Sequence, residues 1–320
     1  MNLPSSSETF VSLVDTAGPA IVRVEGPRQA GATGLLFSSG EEGSSEVILV
    51  TANHALRHDE GLRVAFSDDA EAREATLLGR DPATDLAVLR VSLASPSPDS
   101  IEEGSVARPT APTWRDAASV RVGELGLALA RPGRSVRAAL GLVAVVGSEG
   151  LRTPGGRSLA PWIELDRVLP RGFSVAPLFD LEGRVLGLAT AGLAPHTTVL
   201  LTEKTVRATV EAIVAHGRVP RAWLGVGVSP ARLPADLRDQ LGQELGQRRA
   251  LAVVGLAEDG PAAKAGVLVG DVILAVGGNP VRSPMGLRAQ LSDRVGQPVS
   301  VRLLRGGQTT EIEITAGERG

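Results

Sequence analysis

The chain has 320 residues and a formal charge of −3 with both signs interspersed, a length for two or three domains and a balance that gives no reason to expect a nucleic-acid partner. Without cysteine there are no disulfides and no thiolate metal site, and with four histidines a His-rich metal cluster is not expected. A glycine count of 38, aromatics at 2% and no tyrosine favour tight turns around a core of Val, Leu and Ala, hence a mostly β protein.

The N-terminus lacks a basic segment followed by a long apolar run, and no stretch approaches about eighteen consecutive apolar residues. As written the sequence carries no export signal and reads as cytoplasmic, with membrane association not indicated. Residues 1–8 are polar and expected to be disordered. Residues 9–15 read as a short helix with Phe10, Leu13 and Val14 on one face. Strands are then predicted over 20–24, 34–37, 46–51, 63–66, 75–80 and 86–91, separated by turns rich in Gly, Ser and Asp. Residues 92–113 read as a long surface loop, after which strands resume over 119–122, 125–130, 137–146 and 162–165. Two six-stranded halves of this size are the content of a double β-barrel rather than of βαβ units.

Within residues 163–191 one serine, Ser174, lies between two apolar runs, with Gly172 two positions before it and a strand over 185–189 after it. A glycine there permits a sharp turn that aims the Gly172 and Ser174 amides at one point, as an oxyanion hole requires. Residues 202–217 form one amphipathic helix, with Val206, Val210, Ile213 and Val214 at i, i+4, i+7 and i+8 and Gly217 as its stop. A hinge at 219–221 leads into a second module of about a hundred residues, a usual domain size. Its predicted strands are 223–228, 250–256, 271–276, 299–304 and 309–314. A short helix at 261–266 and a second one from Ser283 to Gly296, with Leu287 and Leu291 one turn apart, complete it.

A nucleophilic serine needs a base and a group to orient the base. His58, His196 and His216 fall in a charged turn, a loop and a helix end, and read as solvated. His54 ends the apolar run VILVTANHAL where a strand stops, and is the candidate base. Asp81 precedes a proline and reads as a turn former, whereas Asp85 stands at the mouth of the strand LAVLRV and is the preferred acid. The chain order His, Asp, Ser differs from the Ser, Asp, His order of α/β-hydrolases, and no strand-helix alternation surrounds Ser174.

These segments resemble a bacterial HtrA/DegP-like serine protease, a chymotrypsin-like double β-barrel followed by a small α+β PDZ domain. LVTANHAL, GRDPATDLAVLRV, GFSVAPL with DLEGRVLGLATA, and RAWLGVGV fall in order where that family has its histidine, aspartate, serine and PDZ-entry motifs. The resemblance implies a protease domain over 9–217 and a PDZ domain over 218–320. It implies His54 as general base, Asp85 as its orienting acid and Ser174 as nucleophile, with the Gly172 and Ser174 amides as oxyanion hole and no cofactor. Trypsin-type enzymes place an acid six positions before the nucleophile. Here that position is Val168, so with Leu169 and Ala189 an apolar specificity pocket is expected. Leu224, Gly225 and Val226 would cap a peptide's C-terminal carboxylate, and Leu287 and Leu291 would face the peptide groove. Arg221 reads as a solvated hinge residue.

The implied substrates are unfolded or misfolded polypeptides and their C-termini, and the implied assembly is a homotrimer; such relatives are often periplasmic or exported. The family motif G-N-S-G-G-P-L is G-F-S-V-A-P-L here. Phe173 lacks asparagine's side-chain hydrogen bonds, and a β-branched Val175 is not expected to take φ > 0. Were the Gly172 amide turned away, turnover would fall roughly 10²- to 10³-fold. The alternative reading is therefore a catalytically impaired relative that serves as a peptide-binding scaffold.

Overall fold

The computed structural model describes the chain apart from residues 1–5, 40–44, 68–70, 94–108, 149, 154–157, 191, 194–195, 246, 292–293 and 320. Two compact units divide it, the first reaching Val219 and the second Pro220–Gly320. The first opens with helix α1, Ser6–Ala17. It starts inside the stretch expected to be disordered, and buries Leu13 and Ala17 in the same core as the first barrel. Residues 1–5 of that stretch lie outside the described residues.

The first barrel is β1 (Ile21–Glu25), β2 (Ala32–Ser38), β3 (Glu46–Ala52), β4 (Leu62–Ala65), β5 (Arg73–Asp81) and β6 (Leu86–Ser92), closed in the order β1-β2-β3-β6-β5-β4. The second is β7 (Leu125–Ala130), β8 (Arg137–Gly147), β9 (Trp162–Leu165), β10 (Pro177–Phe179), β11 (Val185–Thr190) and β12 (Val199–Leu201), closed as β9-β12-β11-β10-β7-β8. Closure removes the edge strands that an open sheet of this composition would expose. Three-residue strands such as β10 and β12 carry too little alternation to be read from sequence. The strand expected over 119–122 is absent. The Asp116 carboxylate instead accepts from the Ala118 amide at 2.9 Å and caps the 3₁₀ turn Ala117–Ser119. Such a local side-chain bond competes with extended pairing. Most of the loop expected over 92–113 lies outside the described residues.

Helix α2, Glu203–His216, buries Val206, Val210 and Ile213 and ends where the Gly217 amide bonds the Ile213 carbonyl at φ +71°. Val214, expected on the buried face, is exposed.

The second unit is a sheet of β13 (Arg221–Trp223), β14 (Val226–Arg232), β15 (Arg249–Leu256), β16 (Val272–Val276), β17 (Pro298–Arg305) and β18 (Gln308–Thr315), the last five ordered β14-β15-β16-β17-β18. β13 pairs instead with the C-terminal strand Gly317–Arg319. The single strand expected over 223–228 is broken at Leu224-Gly225, because Gly225 takes φ +80°. Helix α3, Ala235–Leu245, is an element that the sequence reading did not include. Helices α4 (Pro261–Lys264) and α5 (Pro284–Leu291) complete the unit. One core on the α5 side gathers Leu224, Leu251, Val253, Leu287 and Leu291, and a smaller one on the α3 side gathers Leu233, Ala250, Leu274 and Leu304.

Candidate active site

β3 and β6 are antiparallel neighbours, and Ala52 at the end of β3 pairs with Leu86 at the start of β6. That register sets the residues after Ala52 beside the residue before Leu86, so His54 and Asp85 meet although 31 positions apart in sequence. His54 sits in the 3₁₀ turn Asn53–Ala55. Its ring Nδ1 is 2.5 Å from Asp85 Oδ2, its backbone amide donates to Asp85 Oδ1 at 3.0 Å, and the Asn53 amide donates to the Asp85 carbonyl at 2.8 Å. Asp85 is held in the left-handed region at φ +59°, which a short polar side chain tolerates. The turn before it is shaped by buried Asp81, whose carboxylate accepts from the Ala83 amide and the Thr84 hydroxyl.

A carboxylate on Nδ1 fixes the proton there and leaves Nε2 bare, the tautomer a general base needs. The Asp85 hydrogen bond and charge raise the His54 pKa above its ordinary 6.5, against a lowering by partial burial. The ring is 58% exposed, so Nε2 is open to a substrate.

Ser174 stands in the segment between β9 and β10. The Phe173 amide bonds the Pro170 carbonyl at 3.2 Å with Gly172 at φ +92°, the pattern of a type II turn with glycine at its third position. A Cβ at Gly172 would lie 2.7 Å from Pro132 Cγ, so no larger residue fits. The Val175 amide donates to the Ala189 carbonyl at 2.7 Å and the Ala176 amide to the Phe173 carbonyl at 3.1 Å. Among the described residues, by contrast, the Gly172 and Ser174 amides take no acceptor, and the Ser174 hydroxyl and His54 Nε2 have no hydrogen-bond partner.

Val175 takes φ +63°, contrary to what its branching led us to expect. Its side chain is fully buried in the core that also holds Leu129, Phe179 and Leu188. Tertiary burial thus outweighs a local strain of about 1–3 kcal/mol. Phe173 is only 4% exposed and packs in the second-barrel core with Leu165, Leu169 and Leu178. Hydrophobic anchoring here replaces the hydrogen bonds expected of asparagine.

Two residues that the sequence did not single out hold these loops. Thr33 of β2, 1% exposed, donates its hydroxyl to the Gly172 carbonyl at 2.7 Å and accepts the Arg131 amide at 3.0 Å. Arg80 of β5 gathers the histidine loop: Nη1 reaches the Asn53 and Leu56 carbonyls at 3.1 Å each, and Nη2 the His58 carbonyl at 3.2 Å and Asp59 at 2.6 Å. Each contact depends on strand pairing far apart in sequence, so no local motif announces it.

Leu169 and Ala189 are buried in the second-barrel core, while Val168 is 52% exposed. Val168 is therefore a rim position and not an enclosed pocket floor. In the second unit, the Leu224 carbonyl accepts from Ala262 and the Gly225 carbonyl from Ala257, which pins the loop ahead of β14. Leu287 and Leu291, expected to face a groove, are 5% and 4% exposed and belong to the core; Val226 and Val228 of β14 pack against it. Met285 of α5 is exposed.

Paired barrels with a His-Asp couple on one and a tight serine turn on the other define the chymotrypsin-like class of fold. The comparisons agree: residues 32–188 match the family described as trypsin-like peptidase domain and residues 223–316 the PDZ domain. A probable periplasmic serine endoprotease DegP-like of Brucella suis biovar 1 (strain 1330) is 31% identical over 255 residues, 78% of this chain and 46% of the relative. One of the same description from Ectopseudomonas mendocina (strain ymp) is 32% identical over 277 residues, 83% and 52%. The chain thus spans about half the length of the curated relatives it matches. Among solved structures, an HtrA-type protease AlgW with tripeptide superposes with TM-score 0.67 at 27% identity, covering 97% of each chain. The same protease with decapeptide gives 0.69 at 25%, covering 97% of this chain and 99% of that one. The chain belongs to the HtrA/DegP-like serine protease family, a trypsin-like peptidase domain followed by one PDZ domain.

Proposed function

We propose that this chain is a serine endopeptidase in which His54 Nε2 takes the Ser174 proton as Ser174 Oγ attacks a peptide carbonyl. Asp85 orients the ring and stabilises the imidazolium that forms, and the developing oxyanion is received by the Gly172 and Ser174 amides. His54 then returns the proton to the leaving amine, and water repeats the sequence to release the acyl group. The observation that carries the reading is the two-point hold of Asp85 on His54, on the ring at 2.5 Å and on the backbone at 3.0 Å, with Nε2 left bare.

The two unsatisfied amides flanking Phe173 support the oxyanion role, because buried or half-buried N–H groups otherwise find acceptors. The open, apolar rim at Val168 suits unfolded substrates with aliphatic side chains. The second unit binds C-termini by strand addition to the free edge of β14, with the Leu224-Gly225-Val226 amides at the carboxylate. The relatives are described as periplasmic, and that compartment is part of the proposal. Hydrolysis of denatured casein by the parent and none by Ser174→Ala or His54→Ala is the expected outcome. Equal background from all three would leave the scaffold reading.

A further inference from the structure

The second unit carries a cluster of cations that the reading above does not use. Arg232, Arg238, Arg248 and Arg249 line one open recess of about 360 Å³ together with Leu233. Among the described residues none of the four has an ion pair or a side-chain hydrogen bond, and Arg238 Nε is buried without any partner. Asp236 and Asp239 lie on the same helix as Arg238 but do not line the recess. Arg232 and Arg249 sit directly opposite each other in the β14–β15 register, where like charges repel. Four guanidinium groups around one concavity, with no counter-charge among the described residues, are an arrangement that an anionic ligand relieves.

The position of the recess states what kind of ligand. β14 is an edge strand, and α5 lies against it. A peptide added antiparallel to that edge has its carboxylate at Val226 and runs toward Arg232, six residues on (232 − 226 = 6). At about 3.3 Å per residue that is about 20 Å of strand. Side chains alternate along β14, and Val228 packs on the α5 core, so Arg232 shares the α5 side with it. Arg249 stands in the same relation to Leu251 on β15.

Leu233, Arg238 and Arg248 line the part of the recess away from α5; resting on the peptide-binding reading of this unit, we propose that Arg232 and Arg249, its α5-side wall, are the upstream end of the peptide site. This end selects C-terminal segments that carry Asp or Glu about five to seven residues before an apolar C-terminus.

Fluorescence anisotropy on the full chain tests this with two labelled dodecapeptides sharing the same four apolar C-terminal residues. One carries Asp and Glu at the fifth to seventh positions from the end, the other Gln at the same places. The acidic peptide is expected to bind roughly fivefold to tenfold tighter at low salt, with the gap closing at high salt and in the Arg232→Gln/Arg249→Gln variant. Equal binding of both peptides overturns the proposal and leaves the C-terminal reading standing. Failure of both to bind overturns the two together. If amidating the C-terminus leaves the acidic peptide's affinity unchanged, or if anionic vesicles compete it away, the recess is a separate anion surface and the proposal is wrong.

Discussion

Thr33→Val removes one hydroxyl and leaves the shape of the side chain nearly intact, so it tests whether a first-barrel residue sets the geometry of the serine turn. In the parent that hydroxyl donates to the Gly172 carbonyl at 2.7 Å and accepts from the Arg131 amide at 3.0 Å, at a site 1% exposed. Orphaning one buried and one half-buried backbone group costs about 1–3 kcal/mol each, offset in part by the added methyl, so a net loss of roughly 2–3 kcal/mol is expected. In a domain of this size that lowers Tm by about 4–12 °C, which leaves the protein folded at room temperature.

The larger effect falls on chemistry. With the Gly172 carbonyl released, the serine turn loses its tie to β2, and displacement of the Gly172 amide from the oxyanion position lowers turnover roughly 10²- to 10³-fold. The assay is the second-order rate of fluorophosphonate labelling at Ser174 beside hydrolysis of denatured casein, with melting curves as the folding control. Thr33→Ser keeps the hydroxyl and should retain most of both rates. A Thr33→Val protein that labels at the parental rate and melts within about a degree of the parent would refute the coupling.

Because Asp85 raises the His54 pKa and only the neutral ring accepts a proton, kcat/KM should climb with pH along a limb centred above 6.5. Asp85→Asn should lower that limb and cut kcat on the order of 10⁴-fold. A limb that Asp85→Asn leaves in place would assign it to another group. Phe173→Ala empties a ring from the second-barrel core and should cost about 3–5 kcal/mol by denaturant titration, whereas Phe173→Leu should cost far less. Casein cleavage by Phe173→Leu near the parental level, with Phe173→Ala inactive at temperatures where it is folded, would mark buried apolar bulk at this position as the anchor of the turn.

In the second unit Arg305 grips the nearly buried Asp271 through two bonds of 2.8 Å and holds its pKa below the ordinary 3.8. A depressed carboxylate stabilises the fold above its unfolded pKa and loses that contribution as pH falls through the folded one. Acid melts of the parent should therefore weaken below about pH 4, and Asp271→Asn should lose about 1.5–3 kcal/mol at neutral pH and flatten that dependence. An unchanged acid profile in Asp271→Asn would remove this pair from the account.

Much of the architecture was legible because the long barrel strands alternate or run apolar between turn residues, and because the His, Asp and Ser segments occur in a telling order. What escaped was short or tertiary. β12 is three residues, and α3 has a weak apolar face, Leu237 and Leu241, that serves only a small satellite core. Val175 could not be placed at positive φ from its type, since the force holding it there is burial against residues of other strands. Thr33 and Arg80 act across 139 and 27 positions, which no local window connects. The four arginines scatter over 232–249 and become a cluster only when β14, α3 and β15 fold together.

The most direct measurement is mass-spectrometric localisation of a fluorophosphonate adduct on the native chain. A single adduct on Ser174 is expected, abolished in Ser174→Ala and slowed in His54→Ala, alongside cleavage of denatured casein. No adduct at Ser174 in folded protein, with casein intact at high enzyme concentration, would contradict the proposed chemistry and leave a protease fold that binds peptides without cutting them.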